Sequence, residues 1–198
     1  FAPAAWINMT WSMAAVQNNG VHLFALAAAA AFFAGGSRQR RWPLFLVCGV
    51  IAVLTSGSGL FIFPAILVTL SISRIGRQRS RQPARTAAGW PDAVVAAVIM
   101  AATAALYFNG YTAPAHHPSA LSSLAAPVRS LHYAFAFLGA PIAACGAASG
   151  WATAAGVPVV LLWGMLTVRG AARRVPGLYA FTVYILLSAL ATAATRSE

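Results

Sequence analysis

Carboxylates are nearly missing: Asp92 and Glu198 are the only two acidic residues in 198. General acid–base catalysis by a pair of carboxylates is thereby excluded within this chain, and a Ser-His-Asp relay has no support. Lysine is absent, so all 13 basic residues are arginine; together with the abundant alanine, this hints at a GC-rich bacterial genome. Cysteine occurs twice, at Cys48 and Cys145, without a CxxC spacing or a nearby metal-ligand partner. Both read as small apolar filler, and no disulfide is expected. A charged segment leading into a short apolar core with a cleavage site is not visible at the start, so no signal peptide is expected there.

What the chain does have is apolar length. It is 60% hydrophobic and 8% charged, with a mean hydropathy of +0.75, whereas soluble domains carry about a quarter of their residues charged. Lipid is the solvent this composition fits. The net charge of +11 does not point to nucleic acid, because the arginines stand in short clusters between apolar runs and lack interleaved aromatic or base-reading partners. Anionic lipid headgroups account for them more simply.

About 20 apolar residues cross a hydrocarbon core of about 30 Å. Apolar runs at 12–35, 43–55, 59–73, 90–108, 151–168 and 178–194 are the candidate spans. Trp6 and Trp11 read as an interfacial approach to the first. The second and third are short and are separated by Ser56-Gly57-Ser58, so 43–73 is either two thin spans or a re-entrant hairpin. Pro64 frees a carbonyl four residues back, which makes this the best place for a broken helix. Gly89-Trp90-Pro91-Asp92 reads as a helix start with an acidic residue suited to the positive end of the dipole.

Arginine then sets the parity. Eleven of the 13 fall at 38–41, 74–85 and 169–174, and short arginine-bearing loops stay cytoplasmic. Six crossings with the amino end outside satisfy all three loops, provided that 131–138 lies at, or dips into, the outer interface. The expected fold is therefore all-α, a polytopic transmembrane helical bundle in a single domain with about six membrane helices and a short interfacial or re-entrant helix. It is expected in the bacterial inner membrane, with an outer region over 109–150.

That outer region concentrates the polar groups. Tyr107, Asn109, Tyr111, His116 and His117 lie there, Arg129 follows, and Gln17, Asn18, Asn19 and His22 of the first span reach the same face. Aromatic faces with amide and imidazole donors suit a sugar or polar headgroup, and Arg129 suits a phosphate. An aromatic and polar belt at the interface explains the same residues without a ligand. Adjacent histidines diverge and no carboxylate is near, so neither a metal nor a cofactor is expected. Membrane lipids are the expected partners, and nucleic acid is not.

The pattern resembles a group of bacterial multi-span proteins similar to the type C membrane glycosyltransferases, which use polyprenyl-phosphate-linked sugars. The resemblance rests on Asn8-Met9-Thr10-Trp11 leading to Gln17, on Gly57-Ser58-Gly59-Leu60 with Pro64-Ala65-Ile66-Leu67, on Leu106-Tyr107-Phe108-Asn109-Gly110-Tyr111 with His117-Pro118, and on Phe137-Leu138-Gly139-Ala140-Pro141. It covers most of the chain in order. In such enzymes the catalytic carboxylate lies in the first outer loop, which has no equivalent here. The resemblance thus implies the carboxy-terminal part of a longer transferase-like protein, or a relative without its catalytic loop. No catalytic residue carries over. A transporter or channel piece with a broken helix at 56–59, or a non-catalytic assembly partner, remain the alternatives.

Overall fold

The structure, a computed structural model, describes residues 3–35, 37–80, 89–110, 126–140 and 149–196; within helices, the side chains of 3–16, 18, 38, 76–80, 90, 149, 195 and 196 lie outside it. Every described element is a helix: α1 (Pro3–Phe33), α2 (Arg38–Thr55), a 3-10 helix (Gly57–Phe61), α3 (Ile62–Ser80), α4 (Trp90–Phe108), α5 (Pro127–Gly139), α6 (Ser149–Val168), the short α7 (Ala171–Arg174) and α8 (Pro176–Arg196). Four segments are long and apolar enough to cross a membrane: Gly57–Ile75, Pro91–Phe108, Gly150–Val168 and Pro176–Ala194. They match four of the six expected spans. The first expected span is carried by α1, of which Asn19–Phe33 forms a shorter apolar helix.

In the core α1 packs between α2 and α8 and α3 packs on α8, while α4 leans on α2 and α3, and α5 joins α6 to α8. Alanine lets the central helices approach closely: Ala25, Ala28 and Ala29 of α1, Ala52 of α2, Ala65 of α3 and Ala180 of α8 are buried. A run of edge-to-face rings fills the gap that small residues leave near the arginine end. Phe32 meets Phe45 at 5.0 Å and Trp42 at 6.0 Å, and Phe45 meets Phe63 at 5.9 Å between ring centroids.

Prolines mostly mark helix starts, as their missing N–H predicts: Pro127 and Pro176 open α5 and α8, and Pro91 is second in α4. Pro43 differs. The sequence places a start there, yet α2 begins at Arg38 and carries Pro43 inside it. The extra turn is held because Arg41 and Trp42 are anchored by side-chain bonds described below. Pro64 stands in the first turn of α3, where a missing N–H breaks no helical bond.

Between α5 and α6 the backbones touch. A Cβ on Gly139 would collide with the Ala152 carbonyl, and one on Gly156 with the Phe135 carbonyl. The helix expected at 131–138 is therefore seen as α5, packed on α6 and α8. Gly170, with φ 77°, takes the left-handed conformation that ends α6 and turns the chain into α7.

Candidate functional site

The interruption between α2 and α3 gathers polar groups from four helices. Ser56 leaves the helix in an extended conformation, its N–H still donating to the Ala52 carbonyl at 3.1 Å. Its hydroxyl accepts from the Ser58 N–H at 3.4 Å and lies 3.1 Å from the Ser58 hydroxyl. This Ser side-chain turn explains why the chain reverses here. Gly59 makes the reversal feasible, because any Cβ there would overlap the Ala52 carbonyl. The 3-10 helix then feeds α3 through the Ile62 N–H, which bonds the Gly59 and Leu60 carbonyls.

Around that turn, α8 supplies Tyr184, fully buried, whose hydroxyl stands 3.1 Å from Nδ1 of His22 on α1. Ser58 approaches the same hydroxyl, and the buried Ser188 faces it without a well-formed hydrogen bond. From α1, Gln17 donates through Nε2 to the Thr55 carbonyl at 2.7 Å, so an otherwise orphaned carbonyl at the end of α2 is satisfied. From α4, Tyr107 lies against Gly57 so closely that a Cβ there would sit 2.7 Å from its hydroxyl. The groups are hydroxyl, amide and imidazole, with no carboxylate among those described. Such a set binds and orients polar groups; it supplies no acid–base pair.

A second polar centre lies at the arginine end. Asp92 accepts from the Gly89 N–H at 2.8 Å, which is the helix-start role expected of it. The sequence did not reveal its partners. Arg41 reaches its Oδ2 at 3.2 Å and the Phe32 carbonyl at 2.8 Å, and the Trp42 indole N–H donates to Oδ1 at 3.1 Å. One arginine thus joins the end of α1, the start of α2 and the start of α4. Among the described residues no group of three His, Cys, Asp or Glu could hold a metal ion.

Of the residues singled out from sequence, Gln17 and Tyr107 meet at the break. Asn109 caps α4 and is exposed, its N–H donating to the Leu106 carbonyl at 3.4 Å. Arg129 is exposed on the first turn of α5, whose packing partners are α6 and α8, and so it stands apart from the break. Tyr111, His116, His117 and the Asn18 side chain lie outside the described residues. Tyr184 and Ser188 escaped notice in the sequence. Their signal was a pair of hydroxyls one helical turn apart, but α8 also carries Tyr179, Thr182 and Thr192, so nothing local set the pair apart.

On another face of α8, an apolar groove of about 340 Å³ opens between α5, α6 and α8. Its walls include Leu131, Ala134, Leu138, Val160, Trp163, Val183 and Leu187. Trp163 also stacks on Tyr179, centroids 6.3 Å apart, and its buried indole N–H finds no acceptor among the described residues. No protein-family model, curated protein or solved structure matches this chain.

Proposed function

We propose that this chain is a multi-pass membrane module that receives the polar head of a lipid-linked sugar at the face opposite its arginine-rich loops. The observation that carries the reading is the meeting of Gln17 and Tyr107 at the helix break, over the Ser56, Ser58, His22 and Tyr184 cluster. Hydroxyl, amide and imidazole groups pair well with sugar hydroxyls, which both donate and accept. The resemblance to polyprenyl-phosphate-sugar-dependent glycosyltransferases supports the same ligand class.

In this reading all six runs cross an inner membrane, with the loops at 38–41, 74–85 and 169–174 cytoplasmic. The apolar part of α2, Trp42 to Thr55, rises about 21 Å at 1.5 Å per residue, less than a hydrocarbon core of about 30 Å. The break therefore lies below the outer surface, in a depression that a headgroup enters from outside. Tyr107 flanks the entry. The described residues bind, and a carboxylate for transfer comes from another part of the protein or from a partner. The test is thermal stability of the purified protein in detergent with polyprenyl-phosphate sugars and their analogues: a concentration-dependent rise is expected, diminished in Ser58→Ala, and its absence defeats the reading.

The same 3-10 interruption supports a second reading, a transport module in which a broken helix lines a solute path. Solute flux in vesicles that disappears in Ser58→Leu, which leaves Gly59 in place and is checked for folding by size-exclusion chromatography, would favour it over lipid-sugar binding.

A further inference from the structure

We propose that His22 is a proton-operated switch at the helix break: uptake of one proton at its Nδ1 turns the Tyr184 hydroxyl from the imidazole to Ser188. The Tyr184 hydroxyl stands 3.1 Å from Nδ1 of His22, with the two rings edge to face at 5.7 Å between centroids. Ser188 lies one helical turn further along α8, on the same face as Tyr184. It is 3% exposed, and its hydroxyl makes no well-formed hydrogen bond among the described residues, although it faces the Tyr184 oxygen. A phenol has one proton to give. Given to Nδ1, that proton leaves Ser188 unserved, and the neutral ring then carries its own proton on Nε2.

A proton added to such a ring lands on Nδ1, because Nε2 is already protonated. Nδ1 then donates to the Tyr184 oxygen, and the phenol proton rotates about its C–O bond to Ser188. One proton is taken from water, and only hydrogen bonds change. Ser58 is the competing acceptor, but its hydroxyl is already shared with Ser56 at 3.1 Å, so Ser188 is favoured. Other titratable groups on the elements packed against α1 are engaged elsewhere. The arginines of α2 stand in its first turn, where Arg41 binds the Phe32 carbonyl, and Cys48 is a buried thiol. On α8, Tyr179 turns its hydroxyl to Thr167 at 2.7 Å, and Arg196 closes the helix. The 3-10 helix carries no titratable group, α3 carries its arginines from Arg74 on, and Tyr107 of α4 lies against Gly57. The charge of the break therefore changes at His22. A phosphate-bearing head would be held more strongly by the protonated form; that consequence rests on the function proposed above, whereas the switch itself does not.

Nitrogen NMR reads both states directly. The full chain, labelled with 15N-histidine, is titrated in detergent without ligand, and the His22 signals are those missing from His22→Gln. At about pH 8 the wild type should show a bare Nδ1 and a protonated Nε2, and Nδ1 should gain its proton as the pH falls towards about 5. Ser188→Ala, with its fold confirmed by circular dichroism, should lower the proton affinity of His22 several-fold, because the charged state loses its acceptor, while the neutral tautomer stays as it was. Ser188→Thr, which keeps a hydroxyl, should restore the wild-type titration. A Ser188 that only fills space would leave the titration unmoved. The proposal is overturned if the neutral ring of the wild type carries its proton on Nδ1, or if His22 stays neutral throughout; neither measurement needs a variant at Ser188. It is equally overturned if folded Ser188→Ala titrates like the wild type. Polyprenyl-phosphate sugars that fail to raise the unfolding midpoint at either pH would defeat the receiving site alone, since the titration is read without them.

Discussion

Arg41 and Asp92 form an ion pair at 3.2 Å with both side chains under a tenth exposed, and through it three helix ends are tied at one point. Fifty-one residues of sequence separate the two. Charges are costly to remove from water, and further hydrogen bonds offset part of that cost: the Phe32 carbonyl on Arg41, and the Gly89 and Trp42 N–H groups on Asp92.

Removing one partner should therefore hurt more than removing both. Asp92→Ala leaves a buried guanidinium uncompensated and is expected to destabilise the protein by about 3–5 kcal/mol. Asp92→Asn, which keeps an acceptor for Trp42, should cost less. The double variant Arg41→Met with Asp92→Ala should recover part of the loss. Unfolding midpoints in detergent for wild type, Arg41→Met, Asp92→Ala and the double variant form a double-mutant cycle, and strict additivity of the single changes would contradict the coupling.

The buried hydroxyl of Tyr184 makes a second test. Tyr184→Phe preserves the ring and its stacking on Phe181, whose centroid is 5.7 Å away, while removing the partner of His22. A loss of about 1–3 kcal/mol is expected, as for a buried polar partner left unsatisfied. His22→Phe should cost less than the sum when combined with it. If the cluster also serves as the receiving site, ligand-induced stabilisation in Tyr184→Phe falls by more than the fold itself loses.

Glycine positions separate structure from access. Gly59→Ala places a methyl on the Ala52 carbonyl and should prevent the α2–α3 reversal, giving little folded protein by size-exclusion chromatography. At Gly57 the neighbour is the hydroxyl end of a half-buried Tyr107, which can swing away. Gly57→Ala should then change stability by no more than about 0.5 kcal/mol while altering ligand-induced stabilisation. Equal damage at both positions would remove Tyr107 from the entry.

The helices were legible because lipid-facing segments announce themselves by length and apolarity, and proline and arginine mark their ends: Pro91, Pro127 and Pro176 each stand at a helix start. The Ser56 to Gly59 break was legible for the same reason, as small polar residues in an apolar run. Partnerships were not. Nothing local in Trp42 or Arg41 tells that they share Asp92, and the start of α2 was misplaced by five residues because Pro43 is the stronger local signal. Tyr184 and Gln17 likewise acquire their roles only from the packing of α1 and α8 on the break. Arg129 grouped with Gln17 and Tyr107 by composition, yet α5 carries it to another side of α8.

Orientation rests on arginine placement and can be read directly. With Cys48 and Cys145 replaced by alanine, a cysteine introduced at Gln39 between Arg38 and Arg40 should react with a membrane-impermeant maleimide only in inverted vesicles. One introduced at Ala120, in the long connection after α4, should react only in intact spheroplasts. The two positions report on one parity, since an odd number of crossings between 39 and 120 puts them on opposite sides. Opposite labelling in these directions supports an odd number of crossings between them, three if 43–73 is two spans and one if it is a re-entrant hairpin, with the arginine loops cytoplasmic. Labelling of both from the cytoplasmic side would mean an even number of crossings, with α4 not crossing whether or not α2 and α3 do, and the parity on which the proposed entry beside Tyr107 rests would fail.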